Sequence, residues 1–289
     1  AVLSGPAVGA ALNIPYVVAE PSVAPKRRRG NWAQGYAAAL AALGKADAAL
    51  CLIAIDAEHV RPVLKRGARL AMLPPFQDGS PLRRAAAHRA RHRRALDRRL
   101  PKDEPRLLAV GMMRPGDKLN SYRVLAKALA AIADRPWRLV IVGDGAARDE
   151  VEAAFAPLGR RVLYLGVLRP ASLPAVYAGC DLYVWPGVRE AYGMAILEAQ
   201  GAELPVVAGR GIGVGDVVAD GRSGILVDSD DAGGFARAVA ALLDDPARRR
   251  AMGTAALLYV ATRHDILQTV DLLNETLRFV AGKKRKPRS

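Results

Sequence analysis

Cysteine is scarce in this chain of 289 residues. There are two, Cys51 and Cys180, far apart and each inside an apolar stretch, LCLIAI and AGCDLYVW. That excludes a disulfide framework and points to buried free thiols in a reducing, cytoplasmic compartment. No CxxC pair or Cys/His cluster supports a zinc site. Of the four histidines, His88 and His92 stand four apart, but no third ligand accompanies them, so no metal is expected. His59 and His264 read as ordinary surface residues. Long apolar runs are lacking too. The longest, Tyr36 to Ile55, is Ala-rich and broken by Gly44, Lys45 and Asp47, which excludes a membrane-spanning helix. The first twenty residues are apolar but have no basic leader, and Asn13 and Pro15 interrupt them, which argues against a signal peptide. Residue 1 is Ala, which suggests a processed or truncated chain. Aromatic residues make up 5% and do not interleave with basic ones, so nucleic acid is not an expected partner.

What is present is ordinary for a globular protein: 51% hydrophobic and 25% charged residues, enough to bury a core without staples. The formal net charge of +15 is uneven. Residues 1–104 hold 18 basic and 8 acidic residues, residues 105–282 hold 20 of each, and the stretch from Lys283 to Ser289 adds five basic ones. Eight arginines crowd Arg83 to Arg99 beside one acid, Asp97. The run reads either as a patch for anionic membrane or another polyanion, or as a solvated helix face.

Short apolar runs alternate with helical stretches along the chain. Candidate strands are Tyr16–Ala19, Ala49–Ile55, Arg69–Leu73, Arg106–Met112, Trp137–Gly143, Arg161–Leu165, Asp181–Trp185, Pro205–Ala208 and Ile225–Val227. They are continuously apolar, as strands covered on both faces are. Between them lie helical segments such as Ser121–Ala133, Ala146–Ala156, Tyr192–Gly201, Ala232–Leu243 and Pro246–Thr262. Repeated β-α-β units imply an α/β fold with doubly wound parallel sheets. The polar, proline-flanked LPKDEP at Leu100–Pro105 reads as a linker. The expected division is residues 1–104, residues 105–264, a helix over 265–281, and a basic disordered tail over 282–289.

The chemistry gathers in Leu182–Ala208, LYVWPGVREAYGMAILEAQGAELPVVA. A strand ends at Trp185-Pro186, a short loop carries Glu190, and a helix is expected from about Tyr192. Ligands of open α/β sheets sit beyond the carboxyl ends of strands, which places Glu190 at a crevice. The helix start offers free amides and a positive dipole end to a phosphate, and Gly193 allows close backbone approach. Glu198, eight residues after Glu190, is expected one and a half turns into that helix, pointing at the same crevice. The plain alternatives are a solvated Glu198, a Glu190 that merely balances the helix dipole, surface charges at Arg114 and Lys118, and a simple turn at Gly143-Asp144-Gly145.

The Glu190/Glu198 spacing resembles the E-x7-E motif of retaining GT-B glycosyltransferases of family 4, the glycosyl transferases group 1 domain. The surrounding order is similar as well: VGDG at Val142–Gly145, VLYLGVL at Val162–Leu168, LPAVYAGCDLYVWP at Leu173–Pro186, PVVAG at Pro205–Gly209, VVADGRSGILV at Val217–Val227 and ALLDDPARRRAMG at Ala241–Gly253. The likeness runs from about Pro105 to Thr262. It implies a GT-B-like architecture of two Rossmann-like sheets, with residues 1–104 as a partial acceptor-side domain whose opening half is absent, and a last helix that crosses back to it.

The resemblance also implies roles. Glu190 would be the catalytic carboxylate, touching donor-sugar hydroxyls or charge near the anomeric carbon. Backbone amides of Gly193, Met194 and Ala195, next to Tyr192, would meet sugar or distal phosphate. Glu198 would hold the ribose, and Gly166 and Val167 would lie near the base. The loop GMMRPGDK, Gly111–Lys118, matches the place of the family's diphosphate-binding Arg and Lys. Lys118 fits the Lys; the Arg slot after the glycine is Met112, and Arg114 stands two residues on. The family often has a His after the first strand matched here, where this chain reads AEPSVAPK, with Glu20 and Ser22. The implied activity is transfer of a sugar from a nucleotide-diphosphate donor to a sugar, lipid-linked or other small acceptor, with retention, without metal or cofactor, with peripheral contact at the inner face of an anionic membrane. The alternatives are a non-catalytic nucleotide-sugar-binding module, or a GT-B phosphorylase or epimerase.

Overall fold

The computed structural model describes residues 4–23 and 28–282. The basic tail from Lys283, and residues 24–27, which take in the end of the AEPSVAPK stretch, lie outside them. The chain divides into two compact units: residues 1–75 with 266–289, and residues 76–265.

The first unit holds a parallel sheet of β1 (Val17–Ala19), β2 (Ala48–Cys51) and β3 (Arg69–Met72), in that order. Val18 pairs with Ala49, and Leu50 with Ala71. Every residue of β2 is buried, which is why it reads as unbroken apolar sequence. It ends at Cys51, short of the expected Ile55, because Ala54–Val60 turns helical. Leu43, Ala49, Cys51 and Val60 form the core. The helix Ile266–Ala281 belongs to this unit. Arg69 of β3 donates to Glu275 at 3.3 Å and lies 5.5 Å from the Phe279 ring centre.

The second unit holds six parallel strands: β4 (Arg106–Val110), β5 (Arg138–Val142), β6 (Val162–Tyr164), β7 (Leu182–Trp185), β8 (Val206–Gly209) and β9 (Gly224–Val227). Their order is β6-β5-β4-β7-β8-β9. The chain winds outward from β4 in one direction, returns, and winds outward from β7 in the other. β4 and β7 therefore flank the switch point, where Leu107 pairs with Leu182. Leu107, Leu108, Ile141, Tyr183 and Val207 are fully buried in the sheet. The helix Asp117–Ala130 covers it with Leu119, Tyr122, Leu125, Ala126 and Leu129, an apolar stripe at helical spacing. Each buried leucine there contributes about 1.5–3 kcal/mol.

The division falls at residue 75, not at 104. LPKDEP is no linker. Leu100 is buried, and Arg93 donates to the carbonyls of Lys102 and Glu104. Three arginines of the basic run are tied to the second unit: Arg83 to Asp265 at 2.7 Å, and Arg89 and Arg93 to Asp181 at 3.0 and 2.6 Å. Arg106, fully buried, pairs with Asp97. Arg84, Arg91, Arg94, Arg98 and Arg99 are exposed. Three of the run's eight arginines thus act as clamps and five form a solvated face. His264 is buried, not a surface residue: its carbonyl accepts from Gln77 and its ring lies 5.4 Å from that of Tyr259.

Candidate functional site

In a doubly wound sheet the crevice opens beyond the carboxyl ends of the strands at the switch point. Here those ends lead into Gly111–Lys118 after β4 and Pro186–Gly193 after β7. The two loops meet. Lys118 Nζ donates to Glu190 Oε2 at 2.6 Å, and the Trp185 indole N–H donates to the same oxygen at 3.1 Å. The ammonium also sits 5.2 Å from the centre of the Trp185 ring, within cation–π range. Lys118 and Glu190 side chains are 25% and 17% exposed. They are shielded enough for the attraction to matter and open enough for a ligand to reach.

Trp185 holds this pair because it is itself fixed. It is buried as the last residue of β7 and packs edge-on against Tyr122 at 5.0 Å, whose hydroxyl donates to Gly111 O at 2.7 Å. A Cβ at Gly111 would come within 3.1 Å of the indole. The loop after β7 is fastened from below: Val188 N donates to Ser121 Oγ at 2.9 Å, and the Glu190 carbonyl accepts from Ile212 N at 3.2 Å.

The loop after β4 is stitched to its neighbours. Gly111 N donates to Val142 O, Met113 N to Asp144 O, and Ala147 N to Met113 O, at 2.9–3.0 Å. Gly143 N donates to Gly166 O. Gly143 has φ +138, and a Cβ there would lie 1.9 Å from Gly111 O. The GDG turn is therefore a close backbone crossing that only glycine permits. On this ribbon Met112 and Arg114 are exposed, and the Arg114 guanidinium makes no hydrogen bond or ion pair among the described residues. Lys118 is drawn to Glu190; Arg114 is not.

The helix after β7 starts at Met194 rather than Tyr192, because Gly193 takes a left-handed φ of 72 as its N-cap. Gly193 lies against Glu190: a Cβ there would be 3.4 Å from Glu190 Cγ. The amides of Met194 and Ala195 have no intrahelical acceptor. Tyr192 and Ala195 are half-buried and Met194 is exposed. Glu198 then stands a little over one turn in. Its Oε2 accepts from the buried Tyr177 hydroxyl at 2.7 Å. Burial pushes the Glu198 carboxyl above the ordinary glutamate value, and the Tyr177 hydrogen bond pulls the other way. Gly166 has φ +66 with open space around it, and Val167 is 76% exposed.

Of the expected residues, Lys118, Glu190 and Gly193 are brought into contact, while Glu198 forms a separate pair with Tyr177. Trp185 and Tyr177 were not foreseen. An indole ending a strand directly before the loop with Glu190 was the available signal for the first; nothing in the sequence marks the second. Among the described residues, no group of three or more His, Cys, Asp or Glu stands close enough to hold a metal, and no helix is long and apolar enough to cross a membrane.

Residues 104–245 match the family model described as Glycosyl transferases group 1. This segment belongs to that family. The group 1 segment is similar to D-inositol 3-phosphate glycosyltransferases. The chain is 34% identical to that of Corynebacterium glutamicum over 163 residues, covering 53% of this chain and 38% of the relative. It is 33% identical to that of Corynebacterium kroppenstedtii over 209 residues, covering 68% and 43%. The match thus spans less than half the length of these relatives. Among solved structures, Anabaena Alr3699/HepE in complex with UDP superposes with a TM-score of 0.80 at 18% identity, covering 96% of this chain and 76% of that one. Sucrose-phosphate synthase from Thermosynechococcus elongatus gives 0.75 at 22%, covering 94% and 70%. At these identities the likeness establishes the fold, GT-B, with two parallel α/β sheets. The group 1 segment lies wholly in the second unit and contains both loops of the crevice.

Proposed function

We propose that this chain binds a nucleotide-diphosphate sugar at the β4/β7 crevice and, as a glycosyltransferase, passes the sugar to a small acceptor. The observation that carries the reading is the Lys118–Glu190–Trp185 constellation at the switch point, beside the start of the Met194 helix. A leaving diphosphate needs fixed positive charge. Arg114, Lys118 and the free amides of Met194 and Ala195 offer it without a metal. As the diphosphate arrives it competes for Lys118, and the Glu190 carboxylate is released toward the sugar. Glu190 then accepts sugar hydroxyls or steadies positive charge at the anomeric carbon. The anomeric carbon–oxygen bond to the diphosphate breaks, a bond to the acceptor oxygen forms, and the acceptor proton passes to the departing phosphate. Retention of configuration comes with the family likeness. Glu198 holds the ribose, and Val167 lies against the base.

UDP is the first base to test, since UDP occupies the Anabaena structure. Calorimetric titration with UDP, GDP and ADP should show binding of one nucleotide, weakened about tenfold in Glu198→Ala, with turnover lost in Glu190→Ala. Binding without turnover toward any acceptor would favour a non-catalytic donor-binding module, the reading to which Met112 in the arginine slot lends weight. Absence of binding by all three nucleotides overturns the proposal.

A further inference from the structure

The end of the sheet opposite the crevice has a cleft of its own. It lies at the amino ends of β7 and β8, has a volume of about 270 Å³, and is lined by Arg89, Asp181, Glu203, Arg249, Arg250 and Thr254. That is near the lower end of ligand-sized pockets, about 300 Å³. It suits a small molecule and not a dinucleotide. β7 separates it from the Trp185 end by about 13 Å, at roughly 3.3 Å per residue, so it does not belong to the crevice.

The charges there do not balance. Asp181 accepts from Arg89 at 3.0 Å, from Arg93 at 2.6 Å and from the Arg106 amide at 2.8 Å. Two guanidiniums thus share one carboxylate. Glu203 is turned to the Thr254 hydroxyl at 2.9 Å. Arg249 gives Nη1 to the carbonyls of Leu242 and Leu243, at 2.6 and 3.3 Å. Its Nε and Nη2, and the whole guanidinium of the exposed Arg250, have no protein acceptor among the described residues. Three guanidiniums therefore line the cleft against two carboxylates, and Arg93, paired with Asp181 but outside the lining, brings the local excess to two positive charges. Burial first, and the guanidiniums of Arg250, Arg89 and Arg93 next, hold Arg249 below the usual arginine value, with Asp181 alone opposing. The fork of Arg249 and the free head of Arg250 offer the planar, multidentate geometry that matches phosphate oxygens.

We propose that this cleft is a binding site for a phosphomonoester, held by Arg249 and Arg250 with Arg89 at its edge, distinct from the donor crevice. A phosphomonoester carries about −1.5 to −2 charge at neutral pH, which meets the excess of two. The same head group could come from a free metabolite or from a lipid.

The test uses the full chain, with glycerol 3-phosphate as the free probe and phosphatidylcholine vesicles containing phosphatidic acid as the lipid one. Binding is followed by calorimetry and co-sedimentation at low, matched ionic strength. Arg250→Ala removes an exposed side chain without a protein partner, so the fold is retained; it should weaken binding at least tenfold. Arg249→Lys keeps the charge, loses the fork, and should weaken it several-fold. Saturating UDP should leave the affinity unchanged, as should Lys118→Ala. Affinity should fall as pH drops through about 6, where the phosphate dianion takes up a proton. Binding of either probe with this pattern supports the site and names its source. Binding of neither, binding indifferent to Arg250→Ala and Arg249→Lys, or binding displaced by UDP and lost in Lys118→Ala overturns it. The last two results would leave the donor site intact, so the outcomes of the two proposals are separable.

Discussion

Removing Lys118 tests how tightly the two loops of the crevice are coupled. At 2.6 Å and an effective dielectric constant of about 20, the Lys118–Glu190 attraction is ~6 kcal/mol. Taking both groups partly out of water consumes most of it, leaving a net coupling of about 1–2 kcal/mol for side chains 25% and 17% exposed. Lys118→Met leaves Glu190 with the Trp185 indole as its one side-chain donor and should lower stability by about 2 kcal/mol. Glu190→Gln should lower it by about 1–2 kcal/mol. The double variant should fall short of the sum by the coupling energy. Urea unfolding of the four proteins of the cycle measures this. Repeating it with the nucleotide that binds adds the functional part. If phosphate takes Lys118 away from Glu190, the coupling shrinks in the liganded cycle. A coupling below about 0.3 kcal/mol in the free protein, or one undiminished by nucleotide, would refute the reasoning.

Two further outcomes follow from the same geometry. Gly143→Ala puts a Cβ 1.9 Å from Gly111 O at φ +138 and should lower stability by on the order of 3 kcal/mol, whereas Gly166→Ala, at φ +66 in open space, should lower it by about 1–2 kcal/mol; equal effects in thermal unfolding would contradict the crossing described at Gly143. Glu198 has a folded-state carboxyl raised above 4.5, so the fold favours its protonated form. Stability should therefore decline as pH climbs from that value through the folded one, and Glu198→Gln should abolish this slope in unfolding titrations. Nucleotide affinity, if it needs the carboxylate, should fall in the opposite direction, as pH drops through the raised value.

Much of this was legible in the sequence because parallel strands buried on both faces are continuous apolar runs. The nine expected strands are the nine observed among the described residues, with ends displaced by a few positions. Glu190 was singled out from the loop it stands in and Lys118 from the stretch that leads into the Asp117 helix, and the structure brings the two side chains together. The domain boundary was not legible. Its position depends on Arg83, Arg89 and Arg93 finding Asp265 and Asp181, partners 88 to 182 residues away. A run of arginines carries no record of such partners, and LPKDEP has the composition of a linker whether or not Leu100 is buried. The Tyr177–Glu198 bond escaped for the same reason: two helices meet at it, and neither helix alone calls for it. Trp185 is buried in the core, yet as the last residue of β7 its indole N–H reaches the Glu190 carboxylate.

The Gly111–Lys118 ribbon is fastened at Gly111 and Met113 by main-chain hydrogen bonds to residues 142–147. Its exposed side chains, Met112 and Arg114, take no part in that fastening. The path of the ribbon and the chemistry it presents are thus separately adjustable. Exchanging Met112 for arginine, or Arg114 for a neutral residue, would retune what the crevice offers a ligand while leaving the floor beneath it in place. That makes this ribbon a natural place to alter ligand preference by design.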